Sequence, residues 1–374
     1  MVRFSTATLL FVLLAAPARA QNAGEFARLF DHALELQQAG DLIGAIETYK
    51  AALAIIPGRA DALSNLGAAY VRLGQYDDGI KQYEAALTSD PSNTTARMNL
   101  ALAYYKSARP NEAVPQLKRI VASDPDARGA YLVLADCYLQ TGQDQEVAAL
   151  LTPREQMFSD DLAYAYLLGT ALLHTGDIAG GQKYVDRVFG AGESAEAHLL
   201  MGIAHLGQQD YPAAKTELAR AVQMKSTLPT AHALYGRALL ALGEQADAER
   251  AFHQELDLNV NDFEANLQLG NMRKGAQRFP EASTYLERAT TIRPTDLTAR
   301  KLLASLRLQT GRVTDAVDML EAIVKDAPDV VEVHVQLATA YNRLGRKAEG
   351  QREREIVDRL NAEAQARQKG KGAS

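Results

Sequence analysis

Pro57, Pro91 and Pro125 stand 34 residues apart, and Pro294 and Pro328 repeat the interval toward the other end of the chain. A period of that length is longer than one helix and shorter than a domain, so it marks a supersecondary unit stacked many times over. Written in rows that begin at 26, 60, 94, 128, 162, 195, 229, 263, 297 and 331, the chain needs one departure from 34, a residue lost between the fifth and sixth rows. The eighth column then reads Ala33, Gly67, Ala101, Ala135, Gly169, Gly202, Gly236, Gly270, Ala304 and Ala338. At the chain's overall frequency of Gly and Ala, such a run by chance is on the order of 10⁻⁶. Column twenty is small almost throughout: Ala45, Gly79, Ala113, Val147, Gly181, Ala214, Ala248, Ala282, Ala316 and Gly350. Two small columns let paired helix axes approach until the large residues beside them interlock as ridges into grooves.

The large residues are in place. Column seven holds Leu66, Leu100, Leu134, Leu168, Met201, Tyr235, Leu269, Leu303 and Leu337, and column eleven holds Leu36, Tyr70, Tyr104, Tyr138 and Leu172. Columns four, seven, eight and eleven share one face of a 3.6-residue helix, so the first helix of each unit has a continuous buried stripe. Column fifteen is Gly at 40, 74, 142, 176, 243, 311 and 345, where a left-handed residue ends the helix. The prolines of column thirty-two stop the second helix. With 47% hydrophobic and 23% charged residues, the 374-residue chain has the composition of a folded protein.

Residues 1–20 differ in kind. Arg3 precedes the apolar stretch Leu9 to Ala16, and Ala18-Arg19-Ala20 puts small residues where a signal peptidase cuts. The expectation is a secretory leader removed near Ala20, which makes the product periplasmic or secreted. No run reaches the ~18 apolar residues of a membrane span, so stable membrane insertion is not expected. The formal charge is −6 and grows more negative when Arg3 and Arg19 leave with the leader. No basic stripe offsets it, which argues against nucleic acid as a partner.

The rows resemble tetratricopeptide repeats, whose pattern is W-x2-L-G-x2-Y followed by a small residue, an aromatic and a closing proline. Row two matches best, with Leu66, Gly67, Tyr70, Gly79, Tyr83, Ala86 and Pro91. The resemblance implies an all-α fold, a right-handed superhelical solenoid of about ten helix–turn–helix units over residues 21–360. Departures from the pattern are local. There is no Trp, and column four holds Leu29, Leu63, Arg97, Tyr131, Ala165, His198, His232, Asn266, Arg300 and His334 in its place. Thr152-Pro153 interrupts row four, and Gly190-Ala191-Gly192 ends row five without proline, so irregularity is expected near 152–160 and 190–193. The last row, with Arg354 where an aromatic would sit, reads as a polar cap. Residues 361–374 read as a disordered tail.

In this family the first helices line a concave surface that binds other proteins. Carrying over its groove columns (two, five, nine, twelve and thirteen) gives an apolar middle of Met98, Leu102, Tyr105, Leu132, Leu139, Tyr166, Leu173, Leu199, Ile203 and Leu206. A polar C-terminal stretch follows, with Arg237, Asn271, Lys274, Lys301, Asn342 and Arg343 as donors for carboxylates or backbone carbonyls. The competing reading makes the apolar group core between adjacent first helices and the polar group ordinary surface. Asn65 and Asn99 in column six are candidates for contacting a bound backbone. The family's carboxylate-clamp mode is rejected, because Phe30, Leu34 and Thr95 stand where that clamp needs basic or amide residues.

No catalytic or metal site is expected, and no cofactor. His198 and His205 are seven apart rather than the four of a metal-binding helix, and no nucleotide or hydrolase motif appears. Cys137 in column ten reads as a buried, inert thiol. The leading reading is therefore a non-enzymatic adaptor that binds a peptide or helical segment of another protein, in the cell envelope. The alternative is a glycan-binding or accessory subunit of polysaccharide synthesis or export, with Tyr105 and Tyr166 stacking on sugar rings.

Overall fold

Each row folds as an antiparallel helix pair. In the computed structural model, which describes the backbone of residues 7–371 and the side chains of 21–366, the pairs are α1 (Ala7–Ala39) with α2 (Leu42–Ile55), α3 (Ala60–Arg72) with α4 (Tyr76–Ser89), α5 (Thr94–Lys106) with α6 (Pro110–Ser123), α7 (Arg128–Gln140) with α8 (Asp144–Leu151), and α9 (Leu162–His174) with α10 (Ile178–Gly190). They continue as α11 (Ala195–Gly207) with α12 (Tyr211–Met224), α13 (Ala231–Ala241) with α14 (Gln245–Leu258), α15 (Phe263–Gly275) with α16 (Phe279–Ile292), α17 (Leu297–Gln309) with α18 (Val313–Asp326), and α19 (Val331–Arg343) with α20 (Lys347–Lys371). Among the described residues there is no strand. Of residues 1–20, expected to be a leader, 1–6 lie outside the described residues, and 7–20 are helical and run into α1. The helix α20 continues to Lys371 through residues expected to be disordered, and 372–374 lie outside the described residues.

The helix starts follow the rows. All of α3, α5, α7, α9, α11, α15, α17 and α19 begin at the row's first residue. Asn93, Asp161, Ser194, Asp262 and Asp296 cap five of them, each side chain accepting the amide three residues on at 2.8–3.1 Å. Row seven departs: Thr230 is left-handed, with φ of 65°, and α13 starts at Ala231. Its cap comes from across the pair, where the fully buried Glu255 of α14 accepts the amides of Thr230 at 2.9 Å and Ala233 at 3.3 Å.

Nine of the ten pairs share one turn. In every row but the fourth the column-sixteen amide donates to the column-eleven carbonyl, from Asp41 to Leu36 through Arg346 to Tyr341, at 2.8–3.0 Å, which closes the helix end. That geometry needs a left-handed residue at column fifteen. The seven glycines there all have positive φ, and so do Ala108, Gln209 and Gln277, which hold the column in the other three rows.

Small residues sit where the helices cross. A Cβ on Gly67 would lie 2.9 Å from Tyr83 and 3.1 Å from the Gly79 carbonyl, one on Gly202 would lie 2.5 Å from Leu218, and one on Gly236 would lie 2.7 Å from Phe252. Each large residue that seats over column eight is itself buried, and burial of that kind is worth about 1.5–3 kcal/mol per side chain. The apolar clusters join a pair to the next first helix: Ile80 and Tyr83 of α4 meet Leu100 of α5, and Ala251 and Phe252 of α14 meet Leu269 of α15.

Packing divides the chain into two units. The first comprises Met1–Leu139 with Glu146–Asp160, the second Gln140–Gln145 with Asp161–Ser374. The second helix of row four ends at Leu151, and a 3₁₀ helix over Thr152–Phe158 follows it, with Pro153 at its start and Arg154 off helical geometry at φ −114°. A proline there removes the amide that would continue α8.

Candidate functional site

In each unit the first helices share a face. In the first unit α1 touches α3 and α3 touches α5; in the second, α9 touches α11 and the contacts continue through α13, α15 and α17 to α19. Second helices pack against first helices instead. That shared face is where the groove columns fall, and the two units furnish it differently.

The first unit carries Met98, Leu102, Tyr105, Leu132 and Leu139, all half-buried. Tyr105 is not a free hydroxyl: it donates to the carboxylate of Asp136 in the next row. Asn65 and Asn99 are also half-buried.

The second unit requires a correction. Leu173, Leu199, Ile203 and Leu206 are buried, Leu199 completely, and belong to the core. Here α9 and α11 press against each other more closely than the other touching first helices do, and Leu173 packs over Gly181 of α10. Tyr166 is the member of this group in the second unit that keeps partial exposure.

The polar stretch also sorts into two kinds. Arg343 Nη1 donates to the Leu308 carbonyl at 2.6 Å, closing the C-terminus of α17; Arg72, in the same column thirteen, does this for Gln37 at 3.2 Å. Arg343 is thus a capping residue between rows. Asn342 Nδ2 donates back to the Ala338 carbonyl at 2.7 Å, and Lys301 stands 3.9 Å from Glu332. The other kind is unengaged. Among the described residues, Arg237, Asn271 and Lys274 have no side-chain hydrogen bond or ion pair. Arg237 and Lys274 are half-buried, Asn271 is exposed, and burial holds the Lys274 ammonium below the usual lysine range. These three lie on the neighbouring helices α13 and α15, at the groove columns nine and twelve. A partly desolvated cation facing no carboxylate is a binding feature in waiting.

Column four has a structural explanation. His232 Nε2 meets the Ser226 carbonyl at 3.0 Å, His334 Nε2 the Pro328 carbonyl at 2.8 Å, Asn266 Nδ2 the Val260 carbonyl at 2.9 Å, and Arg97 Nη2 the Pro91 carbonyl at 2.5 Å. Each side chain reaches six residues back to the carbonyl that closes the preceding row. A second contact runs forward nineteen residues: His198 to Glu217 and His334 to Glu353, both 2.6 Å, and Arg97 to Gln116 at 3.0 Å. His232 has Ala251 nineteen residues on, and its Nδ1 is buried without a partner. In the sequence this pairing shows only as polar residues nineteen apart, at His198 and Glu217, His334 and Glu353, and Arg97 and Gln116.

Among the described residues no group of three His, Cys, Asp or Glu gathers as a metal site, and no described helix is long and apolar enough to cross a membrane. Cys137 is fully buried, and desolvation pushes its thiol up to about 12, so almost no thiolate exists at neutral pH.

Comparison with known proteins places this geometry. Models described as "Tetratricopeptide repeat" match residues 74–132, 106–170 and 274–341, and 166–229 and 199–256; one described as "TPR repeat" matches 34–74. No curated protein matches the chain in sequence. Among solved structures, the Cut9–Hcn1 hetero-tetramer of APC/C is similar at a TM-score of 0.58 and 15% identity, covering 91% of this chain and 78% of that one. The MamA protein is similar at 0.43 and 21%, covering 45% and 92%. The period, the crossing residues, the helix-closing turns and the matched family models agree: the chain belongs to the tetratricopeptide repeat family.

Proposed function

We propose that this chain is a non-enzymatic adaptor whose first-helix faces grip segments of other proteins, and that it works in the cell envelope once residues 1–20 are removed. Tetratricopeptide repeats are protein-interaction scaffolds; the finer reading concerns what is bound and where. The observation that supports it is the set of unengaged donors on the first helices of the second unit, Arg237, Asn271 and Lys274. An extended segment with an acidic side chain satisfies such a face, because a partly buried cation gains more from a carboxylate than an exposed one does. The half-buried apolar residues of the first unit suit an apolar stretch of partner.

The test uses the chain from Gln21 as bait against envelope extract, beside Arg237→Glu/Lys274→Glu and Tyr105→Asp/Leu139→Asp. Proteins held by the parent and lost from either folded double variant would support the reading. Identical capture by all three would overturn it, and binding of free sugars on a glycan array instead would favour the polysaccharide role. Location has its own readout: the mass of protein recovered from the envelope should correspond to a chain starting at Gln21, and a retained residue 1 would contradict it.

A further inference from the structure

The rows beginning at 263 and 297 place an arginine at the same point, column eleven, and only one of the two is neutralised. Arg273 of α15 is buried; its Nη2 donates to Glu249 at 2.5 Å and its Nε to Glu281 at 3.2 Å. Thirty-four residues on, Arg307 of α17 has Ser283 where Glu249 would be and Asp315 where Glu281 would be. The exchange removes one carboxylate and shortens the other by a methylene. Asp315 is then taken by Arg312, whose Nε and Nη2 both reach it at 2.7 Å. Glu287, in the place of His253, accepts the Ser283 hydroxyl at 3.0 Å and stands 3.8 Å from Arg312. Arg300 pairs with Asp326 at 2.7 Å.

Arg307 is left over. Its Nη1 approaches the Asp315 main-chain carbonyl at 3.5 Å, and its Nε is buried without a partner. It lines an open cleft of about 670 Å³ with Arg300, Arg312, Asp315, Asp318 and Met319. The cleft lies among α16, α17 and α18, with Thr290 and Pro294 on its α16 side, and Arg300 and Arg307 hold columns four and eleven of its row. A half-buried guanidinium without a counter-ion favours a planar, singly charged oxyanion that takes both sides of its fork. The exposed Asp318 on the wall disfavours a doubly charged one.

We propose that this cleft is a carboxylate-binding site centred on Arg307, separate from the groove columns. It accepts one carboxylate, from either an acidic side chain of a bound segment or a small free acid, in the role that Glu249 plays for Arg273.

The experiment follows the arginine Nε–H NMR signals of the full chain during titration, with Arg307→Gln identifying the Arg307 signal. The probes are sodium acetate, an acetyl-Ala-Glu-Ala-amide peptide, its Gln counterpart, and sodium chloride at matched ionic strength. The expected result is a saturable shift of the Arg307 signal with acetate or the Glu peptide and none with the Gln peptide or chloride. Tighter binding of the Glu peptide assigns the source to a protein side chain, and equal binding assigns it to a free acid; both support the site. Ser283→Glu, which restores the internal carboxylate, should weaken the probes at least tenfold without lowering the melting temperature. No saturable shift in the parent, or an equal shift in Ser283→Glu, would overturn the proposal.

Discussion

The two units are built on one period and filled in two ways. Every polar or charged residue that is buried among the described residues, including His198, His232, Glu255, Asp262, Asn266, Arg273 and His334, lies in the second unit. At columns four and eleven, which hold His198, His232, Asn266, His334 and Arg273 in the second unit, the first unit buries apolar and aromatic side chains such as Leu63, Tyr131, Tyr70 and Tyr138. Column twenty-seven shows the contrast in one residue: Ala86 in the first unit, Glu255 in the second, each 0% exposed. The period therefore dictates the size of a side chain at the crossing but leaves its chemistry open, provided that the local backbone supplies partners. The left-handed Thr230 and Ala233, three residues on, do this for Glu255 by each donating an amide.

Exchanging these residues breaks the comparison most severely. Ala86→Glu buries a carboxylate where no turned amide awaits it and should cost the first unit about 3–5 kcal/mol, read as loss of its hydrogen-exchange protection. Glu255→Ala should cost the second unit about 2–3 kcal/mol, because two amides lose their acceptor. Equal tolerance of both would refute the assignment of Glu255 as a cap.

At the helix crossings the units should instead behave alike. Gly67→Ala sets a methyl 2.9 Å from Tyr83, and Gly270→Ala sets one 2.7 Å from Leu286. Each should destabilise its own unit by about 1–3 kcal/mol in denaturant titration, with the two values close.

A pH response should separate the units again. Burial, with the Glu255 carboxylate adding to it, raises Asp262 to about 7, and burial raises Glu255 as well. A carboxyl whose folded value lies above its unfolded one stabilises the fold fully below the unfolded value, and that contribution is lost as pH rises through about 7. The second unit should therefore melt higher at pH 5 than at pH 8, while the first changes little. Asp262→Asn, which keeps an acceptor for the Ala265 amide, should flatten the response; a second unit more stable at pH 8 would contradict the burial of this pair.

The smallest effect belongs to the turns. Ala108→Gly in the first unit and Gln209→Gly or Gln277→Gly in the second relieve a left-handed residue, and each should gain about 1 kcal/mol. Thermal melts that show no gain would mean that the neighbouring turns already accommodate the side chain.

How much of this was legible depends on how local the cause is. The crossing residues, the helix starts and the turn glycines recur every 34 residues, so ten copies made them plain. The α13 start lies two residues inside its row because its cap is a glutamate 25 residues away, acting through a left-handed Thr that nothing in the sequence marks. Leu199 and Ile203 were assigned to a groove by column, yet whether a first-helix leucine faces solvent or its neighbour depends on how tightly two rows close, and the shortened fifth row closes tightly. Arg343 was assigned as a ligand donor, whereas its guanidinium caps the helix one row back. Arg273 and Arg307 were readable as a shared column, but their different fates lie in Glu249 against Ser283 and only the packed structure shows those positions converging.

The account rests on the 34-residue step as the unit of nesting, and excision tests it most directly. Removing residues 297–330 joins two complete rows in register, and removing 297–326 joins them four residues out of register. Circular dichroism and cooperative melting of the first variant should match the parent in helicity per residue, while the second should lose the C-terminal rows. Equal damage from both deletions would contradict a stack held together by that period.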